Sequence, residues 1–141
     1  MGLLRDSDVE EIRTRLAEMV SPVKLVHFTQ ELNLEYGRQT QELLEELSAI
    51  SDKLSLEKYN YLLDQEKAAE YGVDKVPATV IRNGKDYGIR FFGLPAGYEF
   101  SAILDAILAV SKEDSGLQPE SRAKLAELKE PVHLEVFSTP T

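Results

Sequence analysis

Residues 76–92 read VPATVIRNGKDYGIRFF: a proline, the apolar run Ala78-Thr79-Val80-Ile81, the pair Asn83-Gly84, and a second strand-like run from Tyr87 to Phe92. An Asn-Gly pair between two such runs predicts a β-hairpin, because both residues accept the backbone angles of tight turns that match strand twist. Immediately downstream, Phe100, Ile103, Leu104, Ile107 and Leu108 recur at helical spacing, so a helix over 98–112 closes this ββα unit.

Upstream of the hairpin the pattern changes period. Val23-Lys24-Leu25-Val26-His27-Phe28 is short, apolar and bounded by Pro22, as a buried strand over 23–29 would be. Leu43, Leu44, Leu47, Ile50 and Leu54 recur at three- and four-residue steps and predict the longest helix, from about Glu35 to Lys53. SLEKYNYLL (55–63) alternates loosely and suits a strand, and DQEKAAEYGV reads as a short helix closed by Gly72. Ahead of everything, Val9, Ile12, Leu16, Met19 and Val20 predict an amphipathic helix over 6–20, with Asp6 or Ser7 as its cap.

Two strands joined by a helical crossover, followed by a hairpin and a closing helix, form βαβ plus ββα. The expectation is an α/β chain with a thioredoxin-like fold, a central mixed sheet flanked by helices, over residues 1–112, the first helix being an addition. Residues 113–119 (EDSGLQP) read as a polar linker. Beyond it a helix over 122–129 and a strand over 131–139 repeat the opening of the chain: Pro131, Val132, Leu134 and Phe137 fall in register with Pro22, Val23, Leu25 and Phe28. One strand cannot close a core by itself, so residues 120–141 are expected to be the first helix and strand of a second, truncated unit.

Composition removes several functions. A net charge of −9 repels phosphate backbones and anionic lipids, which argues against nucleic-acid and membrane-surface binding. Met1-Gly2 ahead of Ser7 is read as chance rather than as a lipidation start, and the charged opening MGLLRDSDVEEI as that of a cytoplasmic protein. With no cysteine there is neither a disulfide nor a thiolate metal site, and no cofactor or metal motif stands out. The Glu, Lys and Arg content is compatible with a thermophilic source.

Pro22-Val23-Lys24-Leu25, Asp52-Lys53-Leu54-Ser55, Val76-Pro77-Ala78-Thr79 and the long run Gly84 to Phe100 carry a resemblance. On these stretches the chain resembles the N-terminal part of the thermophilic glutaredoxin-like protein disulfide oxidoreductases, which hold two thioredoxin units in tandem and serve cell redox homeostasis. The resemblance implies a Cys-x-x-Cys at the start of the second helix, where a helix N-terminus favours the thiolate. Those positions read Leu34-Glu35-Tyr36-Gly37. Leucine cannot attack a disulfide and glycine cannot resolve one, so the first unit is expected to be redox-inactive. The resemblance also matches Pro77 to a cis proline opposite that helix, which would leave the Val76 backbone free to pair with an extended protein or peptide substrate; the other reading is that Pro77 only shapes its loop.

Remaining candidates have plainer explanations. His27 and His133 are isolated histidines in strand-like runs, without paired ligand spacing. Glu42, Glu45 and Glu46 share the polar side of a leucine-bearing helix and read as a solvated face. Three functions stay open: the inactive N-terminal unit of an oxidoreductase whose Cys-x-x-Cys lies further along, a stand-alone, non-catalytic peptide-binding module, or an unrelated enzyme activity housed on the same fold. The second would need to hide the strand at 131–138, by a homodimer through residues 118–141.

Overall fold

The computed structural model describes residues 2–30 and 35–139. Its elements in chain order are α1 (Asp6–Leu16), β1 (Val23–Thr29), α2 (Glu35–Ile50), β2 (Leu54–Asn60), α3 (Gln65–Glu70), β3 (Ala78–Arg82), β4 (Asp86–Phe92), α4 (Tyr98–Lys112) and α5 (Pro119–Ala126). The four strands make one mixed sheet in the order β2-β1-β3-β4, with β1 parallel to β2 and antiparallel to β3, and β3 antiparallel to β4.

Burial follows from strand alternation. Val23 and Leu25 point to one face, where Ile12 and Leu16 of α1, Leu44 and Leu47 of α2, and Ile103 and Ile107 of α4 complete the larger core. Val26 and Phe28 point to the other, packing with Ala78, Val80, Ala68 and Tyr71. Phe28 stacks on Tyr59 at 5.4 Å and meets Tyr71 edge-on at 5.9 Å. The added helix α1 is tied down at both ends: Leu4 N–H donates to Glu46 at 3.0 Å, and beyond the helix the Val20 and Ser21 amides donate to the buried Ser111 hydroxyl of α4 at 2.8 and 3.1 Å.

Several boundaries differ from the sequence-based expectation. α1 stops at Leu16 rather than continuing to 20, the chain turning at Ala17 and Glu18 so that Met19 still enters the core. α2 stops at Ile50: the Lys53 amide donates to the Ser51 hydroxyl at 3.2 Å and the Leu54 amide to the Ser51 carbonyl at 3.1 Å, folding the chain into a turn ahead of β2. β2 ends at Asn60, not 63: the Asn60 side-chain carbonyl accepts the amides of Leu62 and Leu63 at 2.9 and 3.1 Å, folding the chain into a turn. The hairpin is present, but Asn83, Gly84 and Lys85 form a three-residue loop closed by Lys85 N–H on the Asn83 side chain at 2.8 Å. The positive φ belongs to Gly88 (φ 87), inside the bulge that shifts the β3–β4 register, rather than to Gly84.

The C-terminal expectation is corrected. The last helix runs over Pro119–Ala126 instead of 122–129, proline being suited to the first helical position. Residues 131–139 form no strand: no described strand pairs with them, and Val132, Leu134, Val136 and Phe137 are exposed. A β-ladder needs a partner, and strand-like sequence does not supply one. Leu44→Ala, at a fully buried site, is expected to cost about 2–5 kcal/mol, whereas Phe137→Ala should change stability by no more than about 0.5 kcal/mol. Urea unfolding compares them, and a core-sized cost at Phe137 would mean that the tail packs in solution.

Candidate functional site

β1, β3 and β4 bring one end of the sheet together with the start of α2, and the residues singled out from the sequence collect there. Leu34 lies outside the described residues; Glu35 is the first residue of α2. Tyr36 is exposed, and Gly37 is buried. Val76 and Pro77 are half-buried just before β3, joined by a cis peptide bond, and the Pro77 carbonyl accepts the Gly93 amide at 2.9 Å, anchoring this loop to the end of β4. Lys75 lies 4.9 Å over the Phe92 ring at the rim.

Gly37 is fixed by close approach. A Cβ built at this position would lie 2.5 Å from the Thr29 hydroxyl oxygen, so the start of α2 rests directly on the end of β1. One turn on, the Thr40 hydroxyl donates to the Tyr36 carbonyl at 2.5 Å and is fully buried.

His27 joins the two halves of the site. Its side chain is fully buried, and it is the register partner of Thr79 across β1 and β3. Neither ring nitrogen has a hydrogen-bond partner, nor has the Thr79 hydroxyl. Burial pushes the imidazole down to about 4; the backbones of Ala78 and Gly37, which face the ring without reaching hydrogen-bond geometry, pull the other way, as does Glu45. His27 is therefore neutral at pH 7. Sequence reasoning placed it in a strand but gave it no site, since the signal is burial beside Gly37 and Ala78, which spacing does not encode. His133, by contrast, sits exposed beside Glu135 at 2.9 Å, and Glu45 is paired with Lys58 at 2.7 Å.

Thiol–disulfide exchange requires an attacking thiolate, and the chain has no cysteine to supply one. No group of three or more His, Asp or Glu among the described residues could hold a metal ion, and no described helix is long and apolar enough to cross a membrane.

The fold is thioredoxin-like. No protein-family model matches the sequence. Alkyl hydroperoxide reductase AhpF of Staphylococcus aureus is 30% identical over 112 residues, which is 76% of this chain and 19% of that protein. The chain thus spans about a fifth of the length of that curated relative. The structure of Enterococcus faecalis alkylhydroperoxide reductase AhpF superposes with a TM-score of 0.79 at 24% identity, over 89% of this chain and 61% of that one. A protein disulfide oxidoreductase from Aeropyrum pernix superposes with a TM-score of 0.78 at 29% identity, over 89% of this chain and 55% of that one.

The contact between Gly37 and Thr29 can be weighed by a double-mutant cycle. Gly37→Ala is expected to destabilise the chain by about 1–2 kcal/mol through overpacking. On a Thr29→Ala background the same change should stabilise, by up to about 1 kcal/mol, through helix propensity. Stabilisation by Gly37→Ala alone would show that the Thr29 hydroxyl yields freely and that the close approach constrains nothing.

Proposed function

We propose that this chain is the redox-inactive, thioredoxin-like N-terminal unit of a glutaredoxin-like protein disulfide oxidoreductase, whose thiol–disulfide exchange belongs to a further Cys-x-x-Cys unit. The observation that carries this reading is a thioredoxin-like site with Gly37 and Pro77 in place and no cysteine anywhere in the chain. The relatives support it: the matches cover only 19% and 55% of their lengths, and their names describe an alkyl hydroperoxide reductase and a disulfide oxidoreductase. In this reading residues 120–141 open the second unit, and the first unit stabilises the pair and helps to hold protein substrate. The Val76 backbone, beside Pro77, is the element that would pair with an extended segment of that substrate. In this reading the setting is cytoplasmic, and the charge-rich composition accords with a thermophilic source.

A second reading rests on the exposed apolar tail. As a stand-alone peptide-binding module, the chain would cover Leu134, Val136 and Phe137 by dimerising through residues 118–141. The intact mass of the endogenous protein, with thiols counted by alkylation, separates the two. A mass well above 15.8 kDa with titratable thiols is expected. A mass of 15.8 kDa with no thiol would end the oxidoreductase reading, and a Phe137→Ser variant that turned a dimer into a monomer in sedimentation would then establish the module.

A further inference from the structure

His27 and Thr79 carry the buried side-chain nitrogen and oxygen atoms that have no hydrogen-bond partner among the described residues. They oppose one another on the α2 and α4 face of the sheet, and the ring also faces the backbone of Gly37 in the first turn of α2. We propose that His27 is an acid-sensitive lock on the start of α2: protonation of its ring releases residues 36–40 from the end of β1 while the sheet stays folded.

The argument begins with what a charged ring would find. An imidazolium is a double donor, and burying it without acceptors is costly. The backbones of Ala78 and Gly37 favour the charged ring, but as packed neither reaches hydrogen-bond geometry with it, and the Thr79 hydroxyl has no partner either. The charged side chains acting on the ring are Glu45 of α2 and Lys58 of β2, and these are paired with each other at 2.7 Å, Glu45 also accepting from Gln41 at 3.0 Å. The charged ring is therefore satisfied only if the packing shifts, either to bring an acceptor into line or to admit water.

The packing decides what moves. Displacing β1 or β3 would open the larger core and break the ladder between them. The early part of α2 is held less firmly: among residues 36–42 the buried ones are Gly37 and Thr40, neither of which buries a large apolar side chain. Lifting this turn exposes the ring at the smallest loss of apolar contact.

The sign and size follow from linkage. The closed state holds His27 neutral down to about pH 4, while a ring in water titrates near 6.5, so the open state binds the extra proton between those values. The closed state loses ground as pH falls through that window. From pH 7 to pH 5 the open population should rise about 20-fold. Glu45, held below its ordinary value chiefly by its hydrogen bond to Lys58, stays charged over this range.

Native-state hydrogen exchange on the 141-residue chain at pH 7 and pH 5, corrected for the intrinsic pH dependence of exchange, tests the lock. The amides of Gln39, Thr40 and Gln41 should open about 20-fold more at pH 5, with those of Leu25 and Val26 in β1 unchanged or far less affected. His27→Leu should abolish the difference; should that variant not fold, His27→Gln is read instead. Equal acceleration in α2 and β1, no acceleration at 39–41, or an acid response that survives in the variant would each overturn the proposal. None of these outcomes depends on whether the chain belongs to an oxidoreductase or binds peptide.

Discussion

The structure depends on β1 having neither a free edge nor a free face. It is hydrogen-bonded to β2 on one side and β3 on the other, and of its seven residues only Lys24 and Thr29 are not fully buried. A strand in that position must be covered from both sides, so the larger core of α1, α2 and α4 forms on one face and the smaller cluster with Ala68 and Tyr71 on the other. The parallel pairing of β1 with β2 in turn requires a crossover, which α2 provides. The site is a consequence of the same geometry, because the chain leaving β1 reaches α2 where the loop carrying Val76 and Pro77 enters β3.

The end of the sheet where α2 begins keeps its shape without thiols, because residues other than cysteine hold it. The shape rests on the approach of Gly37 to Thr29, on Pro77 anchored to Gly93, and on the buried His27 and Thr79 pair. His27 sits awkwardly in this scaffold: among apolar neighbours in the most buried strand, it contributes volume but leaves two ring nitrogens without partners.

Much of this fold was legible in the sequence where periodicity is strong. The apolar run of β1, the spacing of leucines on α2 and the stripe on α4 report burial directly, and each element lies where its pattern predicts. Ends were less legible because they are set by competing hydrogen bonds: the Asn60 side chain stops β2 and the turn at Ser51 stops α2, and neither leaves a periodic signature. Asn83-Gly84 announced the hairpin but not its turn, since the glycine needed for positive φ was Gly88, four residues further on. Tyr36, Gly37, Val76 and Pro77 were found through family resemblance. His27 was passed over because its environment is assembled from β3 and α2, which no local window contains.

The tail shows the same division between local pattern and partner. Pro22, Val23, Leu25 and Phe28 are matched by Pro131, Val132, Leu134 and Phe137, yet Leu25 is fully buried and Leu134 is 85% exposed. The two runs are not equivalent between the matched positions. Where β1 carries Val26 toward its second core, the tail carries Glu135, and Val136 stands where β1 has His27. Val132, Leu134 and Val136 therefore alternate with His133 and Glu135, which are close enough to pair at 2.9 Å. That is the pattern of a strand with one apolar face and one face in water. Phe137, on the same side as His133 and Glu135, breaks that alternation, so the run offers strand-like sequence without a face that any described element covers.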